Sequence, residues 1–367
     1  MTIYWMTCFA SVFLMAIVRY FGHRRDEFKY YLLVAIITSI PLNFICSFRY
    51  DVGEDYQEYV RYFNLITRDF VTHNPNNMYY DLMQYDKTVG RVEFLYYGIN
   101  KLIGVLGGEY YWLFVVCSSL FFIFTYLAIL RDSPSPEQSV YFLVSMSYCF
   151  IFMNGMRQMI GCAILLFSLR YVEERKILPF LLCVVAACGF HMTSVVFLLV
   201  YFLGRVTFKP IYTVLITVVV FALSSVLGNV LTKLVSMTYY GRYIGSEHDS
   251  SELGLVVLSI NIVIFVLATI FYDKNDIRYK IYYNMQVFAL YATALTGNVV
   301  LISRLRWTFG FPSIILLPLI FSKIRNSHIR LVTNVFAIAL YFAYCTYRTV
   351  KFNSNSVLPY QTIFSFF

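Results

Sequence analysis

Long runs of apolar residues, separated by short polar stretches, recur along the whole chain. Several of these runs reach about 20 residues, which is enough for an α-helix to cross the hydrocarbon core of a bilayer. The apolar positions are continuous and do not alternate with polar ones, so the runs predict helices and not the strands of a barrel. The candidate spans are 3–21, 30–47, 110–130, 138–155, 157–172, 177–190, 192–204, 209–228, 254–272, 282–302, 307–322 and 330–347.

The pattern therefore predicts an all-α polytopic membrane protein with about 10–12 transmembrane helices. We expect residues 1–367 to form a single integral membrane domain. Composition supports this fold class, because 59% of the residues are hydrophobic and only 13% are charged, against about 25% charged in a typical soluble domain. The crowded stretch 157–204 fits either complete crossings or tilted and broken helices.

Orientation follows from where the basic residues lie. The first apolar run precedes its basic residues, which is the reverse of a signal peptide and places the N-terminus outside. Short basic connectors are typical of the cytoplasmic side. On this ground we assign to the cytoplasm Arg24, Arg25 and Lys29, Arg131, Arg175 and Lys176, Arg205 and Lys209, Lys274, Arg278 and Lys280, and Lys323, Arg325 and Arg330.

That assignment leaves two extracytoplasmic loops, 48–109 and 229–253. Within the first loop, the short apolar segment 93–106 carries Asn100 and Lys101. If this segment crossed the membrane, all later basic connectors would face outward, against the positive-inside rule. We therefore predict an interfacial or re-entrant helix there, so that the long outer loop holds amphipathic helices.

Several function classes are excluded by simple counts. The formal charge of +9 is carried mostly in short loops between apolar runs, so it does not indicate a nucleic-acid partner. The eight Cys lie in or beside apolar runs and no C-x-x-C occurs, so we expect neither a disulfide framework nor a metal site. No phosphate-binding loop of the G-x-x-x-x-G-K-[ST] type is present, which argues against an ATP-driven pump and against a bound cofactor.

The charged segment 49–63 directly follows the second span. Arg49 is a candidate anion-binding residue, Asp55 a candidate acid or base, and Tyr56 begins an aromatic stripe at helical spacing. The alternative is an interfacial aromatic helix with one solvated face. The sequence leaves both interpretations open.

Three further residue groups lie at predicted outer turns. Arg157 and Gln158 stand between two apolar runs without an acidic neighbour, His191 is the one histidine inside the apolar body, and Arg304 and Arg306 flank a helix junction. An arginine at membrane depth costs about 2.5–3.5 kcal/mol on insertion scales, so it usually faces a partner or a polar cavity. The alternatives are a snorkelling Arg157, a packed and hydrogen-bonded His191, and chance placement of the last two arginines.

Clustered arginines suit a pyrophosphate, because the planar guanidinium binds oxygens bidentately and stays charged. We accordingly predict a pyrophosphate site formed by Arg49, Arg157, Arg304 and Arg306. Tyr240 and Arg242 in the second loop add an aromatic ring and a base that suit a sugar ligand, although such residues also belong at any membrane interface.

Motifs spread over most of the chain resemble the EpsG-like family of Wzy-type bacterial polysaccharide polymerases. Their order and spacing together carry the resemblance. They are Arg49-x-x-x-Gly53-x-Asp55-Tyr56-x-x-Tyr59, Glu93-x-x-Tyr96, Gly155-x-Arg157-Gln158, Phe190-His191-x-x-Ser194 and Leu358-Pro359-Tyr360.

The resemblance implies a membrane glycosyltransferase of the GT-C-like, all-helical type in the bacterial inner membrane, with its active site facing the periplasm. Such an enzyme transfers a growing O-antigen, capsule or exopolysaccharide glycan from undecaprenyl pyrophosphate to a lipid-linked repeat unit, with inversion and without a metal. The implied partners are the lipid-linked donor and acceptor, membrane lipid, a chain-length regulator acting as co-polymerase, and a flippase. Two alternatives are an oligosaccharide flippase or other transporter and an O-antigen ligase-type transferase.

Under this interpretation the arginines neutralise the leaving diphosphate, and His191 or Asp55 removes the acceptor proton. We favour His191, because its ordinary pKa of about 6.5 lies closer to neutrality. The predicted substrate-binding residues are Gln158, Tyr56, Glu93, Tyr240 and Arg242. A flippase would instead need charges distributed along its spans, whereas these residues gather at helix ends.

Overall fold

A computed structural model of the chain describes residues 1–21, 28–72, 92–237, 255–296 and 302–366, and this part is almost entirely helical. The N-terminal half contains α1 Thr2–Phe21, α2 Phe28–Ser47, α3 Tyr56–Thr72, α4 Phe94–Val105, α5 Tyr110–Asp132, α6 Pro136–Ser145, α7 Tyr148–Asn154 and α8 Met156–Glu173. The C-terminal half contains α9 Ile177–Cys188, the 3₁₀ helix Met192–Phe197, α10 Leu198–Leu203, α11 Pro210–Ala222, α12 Ser224–Ser236, α13 Leu255–Ile270, α14 Ile277–Leu295, α15 Ile302–Gly310, α16 Ser313–Ser322, α17 Ser327–Phe352 and the 3₁₀ helix Ile363–Phe366.

Within the described ranges, five helical segments are long and apolar enough to cross a membrane, or up to six if the bent pair α11 and α12 counts as one span. The prediction of an all-α polytopic membrane protein is therefore confirmed. The five are Thr2–Tyr20, Phe28–Ser47, Tyr110–Asp132, Ile302–Ser322 and Ser327–Phe352.

One end of the helix bundle, here called the Arg131 end, collects the basic connectors. Arg131 binds Glu173 at 2.8 Å, and Arg278 donates to the Arg131 carbonyl at 3.3 Å. Arg205 donates to the carbonyl of Glu173, and Lys323 binds a carboxylate of the neighbouring connector, Asp276, at 2.8 Å. These basic connectors therefore lie together at one end of the bundle, as expected if they share one side of the membrane. Arg24 and Arg25 lie outside the described residues.

The opposite end, here called the Arg49 end, is closed by the C-terminal tail. The Tyr4 hydroxyl, at the start of α1, donates to the Val357 carbonyl at 2.7 Å. Arg49, just after α2, forms a short antiparallel bridge with Thr362. The C-terminal tail therefore packs against the ends of the first two helices.

Many of the described helices at the predicted spans are too short or too bent to qualify alone as crossings. Ser147 adopts a left-handed φ of 66° and separates α6 from α7. A bend of 72° separates α11 from α12. The number of continuous spanning helices among the described residues is therefore lower than the predicted 10–12. Helix α12 also continues to Ser236, into the predicted loop 229–253, of which 238–253 lie outside the described residues.

Helices α3 and α4 form a cap on the Arg49 end. The Leu95 amide donates to the Gly189 carbonyl at 2.9 Å, which fixes the start of α4 there. Farther along, Gly104 lies against the Thr67 side chain of α3. Since α5 then runs from this end to Arg131, α4 stays at the Arg49 end of the bundle. An interfacial or re-entrant position for the segment 93–106 stays a prediction. The predicted aromatic face of α3 is also present, because Tyr56, Tyr59 and Phe63 are buried.

Candidate functional site

Four helix boundaries meet beneath the cap at the Arg49 end. Glu93 immediately precedes α4, Arg157 lies in the first turn of α8, His191 lies between α9 and the following 3₁₀ helix, and Arg304 lies in the first turn of α15. Gly189 makes the close approach of α4 possible, because a Cβ there would stand 2.6 Å from Leu95. We call Glu93, Arg157, His191 and Arg304 the Glu93 cluster.

Glu93 connects the members of this cluster. Its Oε2 lies 2.8 Å from Nη1 of Arg157. Its Oε1 lies 3.2 Å from Nδ1 of His191, an ion-pair distance without the alignment of a hydrogen bond. Burial alone would raise the pKa of Glu93, but His191 and Arg157 outweigh it and hold that pKa below its usual value. Glu93 is therefore a carboxylate that holds a base and a cation side by side.

The second nitrogen of His191 faces Arg304. Nε2 lies 3.5 Å from Nη1 of Arg304. Because guanidinium only donates, Nε2 is the acceptor in this contact and the proton belongs on Nδ1, toward Glu93. The residue is only 7% exposed. Burial lowers the pKa of His191, Glu93 opposes this, and the positive charges of Arg304 and Arg157 add to the lowering. The lowered pKa favours the neutral imidazole at pH 7.

Arg157 is held between two aromatic rings. Its guanidinium carbon lies 5.4 Å from the ring centre of Tyr96 and 5.8 Å from that of Tyr62. Such cation–π contacts add roughly 0.5–2 kcal/mol and restrict the orientation of the guanidinium. Nearly a quarter of the side chain, 24%, stays exposed. Arg157 is therefore partly exposed while it binds Glu93, so it has a buried partner and does not simply reach to solvent.

Gln158, predicted as a substrate contact, is buried and binds the protein. Its Nε2 donates to the Arg304 carbonyl at 2.7 Å, which ties α8 to the first turn of α15. The amide thereby fixes the distance between the two arginines of the cluster. This geometry indicates a supporting position rather than an exposed ligand contact.

Arg49 is placed differently from the prediction. Its side chain is completely buried, and Nη1 donates to the carbonyls of Val52 and Met153. Its guanidinium also lies 5.0 Å from the ring centre of Phe114, on which Tyr56 stacks at 4.9 Å. Full burial leaves no guanidinium surface for a lipid pyrophosphate, so the structure places Arg49 and Tyr56 in the packing of the Arg49 end.

Gly53 allows that packing. It has a φ of +100°, which side chains rarely adopt, and a Cβ there would stand 2.8 Å from Oδ1 of Asn154 and 3.1 Å from Nη1 of Arg49. The same asparagine accepts a hydrogen bond from the Glu54 amide at 2.6 Å. Asn154 lies one turn before Arg157 and was not singled out from the sequence, because its importance comes from contacts with distant segments.

Asp55, the alternative base, is exposed at the start of α3. One turn later, the Tyr59 hydroxyl accepts from the Met156 amide at 2.9 Å and donates to the Asn154 carbonyl. This bond joins α3 to the start of α8. The structure thus brings Asp55 to the same end of the bundle as His191, but leaves it on the surface.

Arg306 is separated from Arg304 by the geometry of α15. Residues two apart are rotated by about 200° around a helix, so they point to opposite sides. Arg304 contacts His191, whereas Arg306 lines a cavity of about 200 Å³ together with Arg348. The structure therefore does not bring the four predicted arginines together as a single cluster. Arg348 was not singled out from the sequence; it lies near the end of α17.

Tyr240 and Arg242 lie outside the described residues, so their predicted contacts with substrate stay predictions. Of the predicted site residues, the structure brings together Glu93, Arg157, His191 and Arg304.

A family model described as the EpsG family matches residues 29–362. The match covers nearly the whole chain and includes every member of the Glu93 cluster. No curated protein and no solved structure gives a significant match.

Proposed function

The chain belongs to the EpsG family of polysaccharide polymerase-type membrane proteins, and on this premise we propose that it transfers a growing glycan from undecaprenyl pyrophosphate to a lipid-linked repeat unit. The transfer inverts the anomeric centre and uses no metal. The observation that carries this proposal is the Glu93 cluster, in which a neutral imidazole lies beside two guanidinium groups.

His191 is the general base in this proposal. Its Nε2 accepts the proton of the acceptor hydroxyl, whose oxygen then forms a bond to the anomeric carbon of the donor glycan. The bond from that carbon to the diphosphate oxygen breaks, and the diphosphate leaves with the electron pair. The contact of Nε2 with Arg304 is long at 3.5 Å, so an acceptor hydroxyl can replace it at little cost.

Glu93 is a positioning residue. Its carboxylate keeps the histidine proton on Nδ1 and stabilises the imidazolium that forms during transfer, which is the arrangement of a base oriented by a third group. The contact of 3.2 Å in the resting state can shorten when the ring becomes charged, because catalytic hydrogen bonds tighten during the reaction.

Arg157 and Arg304 neutralise the diphosphate as negative charge develops on it. Charged donors fixed in a low-dielectric site stabilise a developing anion without reorganising. Arg157 is fixed by Glu93 and by two tyrosine rings, and Gln158 fixes the backbone of Arg304. The cluster therefore supplies a base and cations within one small site.

We place the Arg131 end in the cytoplasm and the Glu93 cluster on the outer face of the inner membrane, because basic connectors favour the cytoplasmic side. On the outer face the enzyme meets substrates that a flippase has delivered, and a co-polymerase regulates the chain length. The charged residues proposed for catalysis lie at helix ends and not along the spans, which supports a transferase over a flippase.

Deletion of the gene tests this function. We expect surface polysaccharide to collapse from long chains to single repeat units, read as a ladder on a gel, while lipid-linked units accumulate on the outer face. Accumulation on the cytoplasmic face would instead identify a flippase. Long chains that persist on the lipid carrier but fail to reach their final acceptor would identify a ligase.

The pH dependence of polymerisation follows from the lowered pKa of His191. The base must be neutral, so the rate is constant at high pH and falls about tenfold per pH unit below the pKa of His191. We expect the midpoint of this acidic limb below the ordinary value of 6.5. Initial rates measured with purified protein across the acidic range test this expectation.

Glu93→Gln is the matched variant for that profile. The carboxylate raises the pKa of His191, so removing its charge should move the acidic limb to still lower pH while reducing the maximal rate. An unchanged midpoint in this variant would show that the limb belongs to another group.

A further inference from the structure

A second basic site lies behind α15, on the side away from His191. The cavity of about 200 Å³ that contains Arg306 and Arg348 lies between α13, α15 and α17, and we call it the Arg306–Arg348 cavity. Its lining also includes Ile260, Ile264, Trp307, Tyr341, Tyr344 and Asn355.

Among the residues that the structure describes, neither arginine of this cavity is paired with an acid. The described residues of the lining include no Asp or Glu. Arg348 donates to the hydroxyls of Tyr344 at 3.4 Å and Ser354 at 3.2 Å, both of which are neutral. Arg306 makes neither a hydrogen bond nor an ion pair with the described part of the chain. By contrast, Arg157 has a carboxylate at 2.8 Å.

Two like charges in one partly buried cavity repel each other and raise the free energy of the folded protein. An anion with several oxygens removes this cost, because each guanidinium can bind two of them. The polar and aromatic lining fits a sugar next to that anion, since Trp307 and Tyr344 offer ring faces and Asn355 offers an amide.

The walls of the cavity continue into exposed apolar surfaces of α13 and α17. Helix α13 contributes Ile260 and Ile264 to the lining, and its residues Val256 and Val263 are exposed. Helix α17 contributes Tyr341 and exposes apolar residues such as Phe336 and Leu340 on its outer face. A polyprenyl tail can therefore stay in the bilayer while its diphosphate enters the cavity.

We propose that the Arg306–Arg348 cavity binds the diphosphate of the acceptor, the lipid-linked repeat unit, while the Glu93 cluster binds the diphosphate of the donor. This inference rests on the proposed function, in which two lipid-linked substrates meet. The donor diphosphate must lie beside the base because its bond breaks there. The acceptor diphosphate lies at the other end of the repeat unit from the attacking hydroxyl, so it requires a separate site.

Helix α15 separates the two sites. Arg304 on one side contacts His191, and Arg306 on the other side enters the cavity. An α-helix with its side chains is about 10–12 Å across, which keeps two diphosphates far enough apart to limit their mutual repulsion. The i, i+2 arginine pair thus serves two substrates from one helix.

Binding of farnesyl diphosphate to the purified protein in nanodiscs, counted by native mass spectrometry, tests the proposal. We expect the wild type to bind two equivalents. Arg306→Gln and Arg348→Gln should each retain one equivalent and bind the other at least about tenfold more weakly, because a charge-assisted contact is lost. Arg330→Gln, which alters an exposed arginine on the same helix as Arg348 at the opposite end, should bind two.

Two competitors identify what the cavity recognises. Neither inorganic pyrophosphate nor phosphatidylglycerol should displace the probe at equal concentration. Equal competition by pyrophosphate would overturn the role of the lipid tail, and equal competition by phosphatidylglycerol would overturn the specificity for diphosphate. Two full-affinity equivalents in both glutamine variants would overturn the proposal.

The folding of the variants is checked by thermal unfolding. Removal of one of two like charges should leave the unfolding temperature unchanged or higher. A variant that meets this expectation is folded, so its loss of binding cannot be assigned to misfolding. Loss of one equivalent in a protein that forms no polymer would leave this site standing and refute the proposed function. Unchanged binding in a protein that does form polymer would refute only the cavity.

Discussion

Replacing Arg157 by alanine is expected to lower the rate of polymerisation about 10²–10³-fold, the usual effect of removing one fixed donor from a developing anion. The guanidinium is lost from the leaving diphosphate, and Glu93 loses its partner at 2.8 Å. The measurement is the initial rate of repeat-unit joining, at equal amounts of folded protein in the membrane. In cells, the polysaccharide ladder should shrink to single units.

Arg61→Ala is the matched control for this experiment. Arg61 lies at the same end of the bundle, on α3, but 58% of its side chain is exposed and its ion pair is with the neighbouring Glu58. We expect a wild-type rate for this variant. Arg157→Lys should recover a small part of the activity, because it keeps the charge but not the planar fork. A wild-type rate in Arg157→Ala would remove Arg157 from the site.

Replacing His191 by alanine is expected to lower the rate about 10²–10⁴-fold, the range for loss of a general base. A histidine that only fills space would give a different result, because its removal would change stability without changing the pH profile. We therefore expect the acidic limb of the wild type to disappear from the residual activity of His191→Ala. Initial rates at several pH values measure both effects.

His328→Ala is the control for histidine removal, since His328 is exposed at the start of α17 near the Arg131 end. It should behave as the wild type. Asp55→Asn decides between the two bases that the sequence left open. We expect Asp55→Asn to lower the rate of polymerisation much less than His191→Ala does, because His191 is buried in the cluster and Asp55 is exposed. The reverse order of the two rates would make Asp55 the base.

The spans and their common ends could be predicted from the sequence, because hydrophobicity and the distribution of basic residues are properties of each segment alone. The prediction that 93–106 does not cross the membrane followed from the same rule, because one extra crossing would have placed the connectors at Arg131 and Lys323 on the opposite side. The breaks within the spans could not be predicted from hydrophobicity. A left-handed residue such as Ser147 interrupts a helix without changing its hydrophobicity.

The site was predicted in part. Arg157, His191 and Arg304 were expected on one side of the membrane, and the structure brings them together. Arg304 and Arg306 were expected at a helix junction, but both belong to α15, and this helix sends them in opposite directions. Arg306 is apart from the Glu93 cluster for that reason, and Arg49 because it is buried in the packing of the Arg49 end.

The roles of Glu93 and Arg49 depend on partners far along the chain. Glu93 is 64 residues from the arginine that it binds, so no local pattern shows that it connects Arg157 with His191. Arg49 is buried against carbonyl groups and rings, which is unusual for an arginine and has no signature in sequence. Contacts of this kind become visible only when the helix ends are placed in space.

Reconstitution of the purified protein in liposomes with a lipid-linked repeat unit tests the central claim most directly. The quantities to measure are the number of repeat units per lipid and the polyprenyl diphosphate released. We predict chains of two and more units with one diphosphate released per new linkage, and no such products from the Arg157→Ala and His191→Ala proteins. Unlinked repeat units carried across the bilayer by the wild type, without diphosphate release, would contradict the account.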